Sequence, residues 1–317
     1  MPMRIIFLGT PEFAIPPLRA LIGSRYDVCA VFTQPDRRSG RGQAFHPPPV
    51  KVFAREHGIP VFQPLRIRTE ENRPLIQGLN PDFLVVAAFG QILPPWLLHS
   101  ARLSPVNIHP SLLPKYRGAA PITWAVLNGD AVTGVTTMEM NEGLDTGPIL
   151  LQREFPLPDS MTGGELESAL SEIGATLLLE TLDGICSGTV RPRPQDDSIA
   201  TSAARITKEM GLLDWSQNSV LLHNRIRALH PWPLCYSNYR GERIQILRAR
   251  AESSRGEPQR APGTYVGLTP EGILVQCGAG SVLEVLQVQL PSKRPVSGRE
   301  FAAGARLMPD HEIIFRS

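Results

Sequence analysis

Phe83-Leu84-Val85-Val86-Ala87-Ala88-Phe89 is the longest uninterrupted apolar run in the chain, seven residues. A strand with one face in water alternates apolar and polar residues, and this run does not. It reads as a strand over Asp82–Ala88 buried on both faces, the kind found inside parallel sheets covered by helices on each side. The surrounding sequence agrees. Arg4–Leu8, Val28–Thr33, Pro60–Phe62 and Val106–His109 read as strands. Phe13–Ile22, Val50–His57, Glu70–Leu79 and Ala119–Asn128 read as helices between them. Such alternation predicts a right-handed, mostly parallel, Rossmann-like α/β sheet. Gly134–Met140 and Ile149–Phe155 add two strands, and Gly163–Cys186 a long helix.

A chain of 317 residues has room for about two domains. The character changes at 188–208, where Gly188-Thr189-Val190-Arg191-Pro192-Arg193-Pro194-Gln195-Asp196-Asp197 is proline-rich and polar. Beyond it, Ser219–Leu229 looks helical. The short runs Ile244–Ala249, Gly263–Val266, Ile273–Gln276 and Val282–Val288 are then separated by glycines and prolines, as in a small antiparallel barrel. The expected organisation is an α/β domain over 1–188, a linker over 189–207 and an all-β domain over 208–317. Residues 205–317 hold 15 of the 32 Lys and Arg and 10 of the 30 Asp and Glu, a net charge of +5, against −3 for the rest. A basic unit suits a nucleic-acid partner, but a solvated surface with a few charges of noise explains the numbers as well. Seven apolar residues are too few to span a membrane. The start of the chain reads as the first strand, not a signal peptide. Cys29, Cys186, Cys235 and Cys277 contain no CxxC pair, so neither a disulfide framework nor a zinc site is expected, and a reducing cytoplasm is the default.

Three segments carry chemistry. The first strand ends in Gly9-Thr10-Pro11-Glu12-Phe13, with one glycine where a dinucleotide site needs three, so a nicotinamide or flavin cofactor is disfavoured. Asn107 and His109 stand two apart on a strand that Pro110 ends, so they share one face near the carboxyl edge of the sheet. An asparagine amide there can donate to a developing oxyanion, and a histidine can act as general base. Equally, both can satisfy loop backbone groups. Asp145 lies between Gly143 and Gly147 in a loop joining two strands. By itself it is an ordinary turn residue; beside an imidazole it would orient the ring and favour its charged form. Together the three make a plausible acyl-transfer set without a covalent nucleophile.

These segments, with several others, resemble the methionyl-tRNA formyltransferase family along essentially the whole chain. The matching pieces are FLGTPEFA, FTQPDRRSGRG, VNIHPSLLPKYRGAAPI, MEMNEGLDTGPIL and IRALHPWP. The resemblance implies a Rossmann-like catalytic domain and a C-terminal OB-like barrel. It implies transfer of formyl from 10-formyltetrahydrofolate to the α-amino group of methionyl initiator tRNA, with no metal. Asn107, His109 and Asp145 take the catalytic positions. Ser111, Leu112, Leu113 and Pro114 take the folate-contacting positions, and residues 34–48 the tRNA-contacting loop. The folate would lie beyond Phe89, Gly90, Gln91 and Ile92, whose backbone groups suit a pterin, although a strand-to-helix turn accounts for that segment too. In the C-terminal half Trp232 reads as core, and Arg225 and Arg227, two apart on a helix, do not share a face. A monomer is expected.

The 34–48 segment carries Arg37, Arg38 and Arg41, with Arg41 between Gly40 and Gly42. Such a loop can reach a phosphate backbone, and it can equally be solvated surface. By resemblance Arg41 holds the key basic position. Arg41→Ala should therefore lower activity on methionyl-tRNA far more than it weakens folate binding, and should flatten the salt dependence of tRNA binding. Steady-state kinetics with each substrate varied in turn, and a salt titration, make the comparison.

Overall fold

The computed structural model describes residues 2–39, 44–252, 260–308 and 314–316. Packing divides the chain into two compact units that are not consecutive stretches. The first holds Met1–Pro121, Val132–Pro156 and Glu167–Ala203; the second holds Ile122–Ala131, Leu157–Leu166 and Ala204–Ser317. Two short segments, Ile122–Ala131 and Leu157–Leu166, thus group with the C-terminal part.

In chain order, the elements from the start to residue 118 are β1 (Arg4–Gly9), α1 (Ile15–Ile22), β2 (Asp27–Phe32), β3 (Arg37–Ser39), β4 (Ala44–His46), α2 (Pro49–Glu56), β5 (Val61–Phe62), α3 (Arg73–Leu79), β6 (Phe83–Ala87), α4 (Pro95–Leu98), β7 (Ser104–His109) and β8 (Arg117–Gly118). They are followed by α5 (Pro121–Leu127), β9 (Val132–Glu139), β10 (Ile149–Pro156), α6 (Gly163–Ser187) and β11 (Ser202–Ala203). Prolines sit in the first turn of α1, α2, α3 and α4. The fixed φ of proline suits that position, and its missing N–H costs nothing there.

The main sheet has the order β10-β9-β7-β6-β1-β2-β5. β7, β6, β1, β2 and β5 are parallel, whereas β9 is antiparallel to both β7 and β10. From β1 the chain builds outward through β2 to β5, then returns to the other side of β1 to lay β6 and β7. The reversal falls between β1 and β6, which opens a crevice beyond their carboxyl ends. β6 is the first five residues of the seven-residue apolar run, and every residue of the strand is buried, whereas Ala88, next in the run, turns to φ 49° and is exposed.

Two expectations for this unit change. The stretch 34–48 is not a plain loop, because β3 and β4 pair as a hairpin with Arg37 opposite His46. Strands of only three residues, Arg-Arg-Ser and Ala-Phe-His, are too short for an alternation to announce them. Arg41, with Gly40, Gly42 and Gln43, lies outside the described residues. The segment 189–203 is no free linker either. Arg193 and Ile149 form a two-way backbone bridge, and β11 pairs in parallel with β8. A proline-rich polar composition reports weak core burial, not a lack of backbone partners.

The second unit contains α7 (Ser219–Ala228), β12 (Cys235–Tyr239), β13 (Glu242–Glu252), β14 (Tyr265–Leu268), β15 (Ile273–Gln276), β16 (Val282–Gln289), β17 (Val296–Ser297) and α8 (Gly298–Ala305). Its sheet runs β12-β13-β16-β15-β14 with β17 also on β16, and every pair is antiparallel. β12 and α8 have no counterpart in the sequence reading; a capping box between Ser297 and Glu300 starts α8. The aromatic core is Trp215 stacked on Phe315, with Phe301 beside it. Trp232, read as core, is 56% exposed. Leu229, just past the end of α7, is fully buried, and the Pro231-Trp232-Pro233 turn that follows runs over the surface. Arg225 and Arg227 do point apart. Arg225 donates to the Met210 carbonyl, while the buried Arg227 donates to Asn224 Oδ1 and the carbonyls of Pro158 and Met161.

Phe83 is fully buried, in register with Ile5 and Ser104, and meets the Tyr26 ring edge-on at 6.2 Å. Phe83→Ala leaves a cavity at the centre of the first unit and should cost about 3–5 kcal/mol of stability. A lower urea midpoint at unchanged m-value checks this.

Candidate active site

β7 places Asn107 and His109 on one face, both buried at 9% and 4% exposure. Ile108, between them, points to the other face, where Gly174 of α6 makes room for it. Asn107 stands opposite Val86 on one side and Met138 on the other. Its amide has no hydrogen-bond partner among the described residues. An amide on a mostly buried side chain whose donors are unused and still reach solvent is open to a ligand.

The His109 ring is oriented by its Nε2, 2.9 Å from the Tyr116 carbonyl oxygen. A carbonyl only accepts, so the neutral ring carries its proton on Nε2 and keeps a lone pair on Nδ1. Tyr116 presents that carbonyl from the left-handed region, φ 66°, and its own N–H donates to Thr201 Oγ1. Nδ1 faces Asp145 Oδ2 at 3.7 Å. Two acceptors at that distance leave no room for an atom on the line between them, but a proton donor beside the pair, such as a water or an amine, can bridge both.

Asp145 reaches His109 by an indirect path. β9 ends at Glu139 opposite Val106, near the start of β7, so the β9–β10 loop leaves the sheet there. To meet His109 at the far end of β7, the loop folds back across the sheet face. Asp145 takes φ 53°, a conformation that costs a non-glycine residue roughly 1–2 kcal/mol. Its Oδ2 accepts from Gly118 N at 2.8 Å. Gly118 sits at φ 120°, and a Cβ there would press on the Ala203 carbonyl at 2.8 Å. A Cβ on Gly147 would overlap the Glu139 carbonyl. Glycine at both places is what lets the loop close so tightly.

The segment after β7 is held from β9 and β10. Leu113 N donates to Thr136 Oγ1, which donates to the Ser111 carbonyl, and Gln152 Nε2 donates to the Leu113 carbonyl. The buried Ser111 hydroxyl donates to the Lys115 carbonyl, and the Leu113 side chain packs with Met138 and Ile149. Ser111 and Leu113 are thus turned inward, Leu112 and Pro114 are half-buried, and Ile92 is 82% exposed. The Phe89 carbonyl accepts from Thr10 Oγ1 and Gln34 Nε2. Gln91 binds inward, its Oε1 accepting from Ile67 N and its Nε2 donating to the Pro64 and Leu65 carbonyls. Gly90 adopts φ 79° between them. Arg37 donates to Gln34 Oε1, tying the root of the β3–β4 hairpin to the end of β6. Lys51 and Gln63 both donate to Asp36 at the same root. Arg38 stands opposite Phe45 in the hairpin.

Sequence reading missed Tyr116, Gly118, Thr136 and Gln195. The first two act through the backbone, which has no residue-type signal. Thr136 reads as one more β-branched strand residue. Gln195 stands in a polar stretch with no periodicity. Among the described residues, no group of three or more His, Cys, Asp or Glu side chains is placed to hold a metal ion, and no helix is long and apolar enough to cross a membrane.

The Formyl transferase family model matches residues 3–182, and the Formyl transferase, C-terminal domain model matches 205–306. Methionyl-tRNA formyltransferase of Citrifermentans bemidjiense is 46% identical over 307 residues, covering 97% of this chain and 95% of that one. The chain belongs to the methionyl-tRNA formyltransferase family. The family fold extends to distant solved structures. An N-formyltransferase from Helicobacter canadensis, in complex with folinic acid and dTDP-3-aminofucose, superposes with a TM-score of 0.67 at 19% identity, over 90% of this chain and 99% of that one. HypX from Aquifex aeolicus superposes at 0.61 and 19% identity over 95% of this chain, which spans about half of that protein, 49%.

Burial pushes the His109 imidazole below the ordinary histidine value, and the Asp145 carboxylate and the Tyr116 carbonyl pull the other way. The ring should therefore titrate below the free value of about 6.5. Asp145→Asn removes the anion that favours the imidazolium, so the midpoint should fall further. NMR titration of the His109 ring checks both, and an upward shift in the variant contradicts the assignment.

Proposed function

We propose that the protein transfers the formyl group of 10-formyltetrahydrofolate to the α-amino group of methionyl initiator tRNA, giving N-formylmethionyl-tRNA for translation initiation. The observation that carries this is the near-full-length 46% identity to a methionyl-tRNA formyltransferase. The geometry supplies a route. The acceptor amine attacks in its neutral form, and the formyl carbonyl becomes an oxyanion in a tetrahedral intermediate. Asn107, with its amide unused, donates to that oxyanion. His109 is neutral with Nδ1 open, so it takes the proton that the attacking nitrogen sheds, and Asp145 stabilises the imidazolium that results. The amine then approaches beside His109 Nδ1 and Asp145 Oδ2, where one donor can bridge both. The oxyanion then collapses as its bond to the folate nitrogen breaks, that nitrogen takes the proton held by His109, and no metal is required by these steps.

The folate donor lies in the crevice beyond β1 and β6, against Phe89, Gly90, Gln91 and Ile92, with Ser111, Leu112, Leu113 and Pro114 on its other side. Because Ser111 and Leu113 are turned inward, this segment serves through its shape and backbone. Arg37 and Arg38 meet the tRNA from the hairpin, and Arg41 is a third contact. The second unit contributes further charge, though Arg227 is buried and Arg250 is paired with Glu284 and Glu271. The enzyme works as a cytoplasmic monomer.

The assay is incubation with 10-formyltetrahydrofolate and methionyl initiator tRNA, with uncharged tRNA and small amines as controls. Formyl transfer to small amines alone would overturn the proposal. His109→Ala should lower kcat by roughly 10²–10⁴-fold. Asn107→Ala should lower it by roughly 10²–10³-fold, the loss typical of one oxyanion donor. Near-normal turnover in either folded variant would remove that residue from the mechanism.

A further inference from the structure

We propose that Gln195 is a positioning residue for this reaction: its side-chain amide clamps the β9–β10 loop in the one conformation that sets Asp145 against His109. The proposal rests on the formyl-transfer reading above.

The loop needs such a clamp. It leaves the sheet beside Val106 and folds back to His109, with Asp145 at φ 53°. Backbone in that region persists only where its surroundings hold it. Gln195 Nε2 donates to the carbonyl oxygens of Asp145 at 2.8 Å and Gly147 at 2.7 Å. Gripping two carbonyls that flank the turn fixes the local backbone more tightly than either bond alone. The other end of the amide is equally committed. Gln195 Oε1 accepts from Arg117 Nε at 3.0 Å and Nη2 at 2.8 Å, and Arg117 Nη2 also donates to Asp197 Oδ1 at 2.7 Å. Both amide donors and both acceptor directions are used, so the orientation of the group is determined. A flipped amide would set its oxygen against two carbonyls and its NH₂ against a guanidinium.

The clamp also closes a circuit. Arg117 directly precedes Gly118, whose N–H holds Asp145 Oδ2. Gln195 thus joins the segment that donates to the Asp145 carboxylate to the segment that carries it. Gln195 makes no bond to Asn107 or His109 among the described residues, so its action on the chemistry runs through Asp145. The bridge between Arg193 and Ile149 and the pairing of β11 with β8 anchor its own backbone on either side.

Two substitutions separate positioning from bulk. Gln195→Met keeps the volume and removes all four bonds. Gln195→Glu keeps an acceptor for Arg117 but turns an oxygen toward the two carbonyls. Both should lower kcat by about 10–100-fold, the scale expected when a reacting group is displaced by about 1 Å. KM for each substrate should stay within about threefold, because the change falls on the reacting groups and not on binding. In an Asp145→Asn background neither substitution should lower kcat further, since residues acting as one unit are non-additive. The proposal is overturned if kcat stays within about twofold of wild type, if the loss is confined to KM, or if it multiplies with that of Asp145→Asn. Thermal melts show which variants are folded; should Gln195→Met not be, Gln195→Glu is judged by the same criteria. Wild-type protein assayed alongside tests the formyl-transfer reading itself, so the two ideas fail separately.

Discussion

β7 is bonded to a parallel neighbour on one side and an antiparallel one on the other, and the site grows from that seam. The parallel β6 carries β7 to the carboxyl edge of the sheet, where Pro110 ends it and leaves His109 at the rim. The antiparallel β9 brings a hairpin back to the same strand and delivers a loop whose far end carries Asp145. Neither neighbour alone assembles the three side chains. With parallel strands on both sides, the acid would have to come from another crossover. With antiparallel strands on both sides, the crevice at the strand reversal would be missing.

The site is built from groups held in unfavourable states by good partners. His109 is buried, which disfavours its charge, and the Tyr116 carbonyl selects one tautomer. Tyr116 and Asp145 both occupy left-handed backbone, each secured by hydrogen bonds from distant segments. The result is a neutral base with an open nitrogen beside a carboxylate and an unsatisfied amide. A proton-bearing nucleophile completes this arrangement, which is the physical content of preorganisation.

The segment 189–203 has a larger part than a connector. It pairs with β8, bridges to β10, donates from Gln195 and accepts at Thr201. The stretch that carries the chain out of the first unit thereby braces the loops around His109. This couples the stability of that segment to the geometry of the site, with little apolar burial beyond Ala203 to mark it.

The alternation of apolar runs with helical periods determined the parallel α/β sheet, and the seven-residue run at 83–89 determined its buried middle. These signals survive in one dimension because each strand or helix repeats its own pattern. Asn107 and His109 were legible as a pair for the same reason: period two puts them on one face. Asp145 was legible as a loop acid, but its approach to His109 depends on β9 folding back on β7, a contact between residues 36 apart in sequence. The β3–β4 hairpin was too short to show a period. Residue type points Trp232 inward, yet it lies outward in a proline turn past the buried Leu229, while Trp215, Phe301 and Phe315 form the aromatic core of its unit. Tyr116, Gly118 and Gln195 were decided by tertiary structure alone. They act through a carbonyl, an N–H and an amide, groups whose roles are set by what the fold places within about 3 Å of them and not by a pattern along the chain.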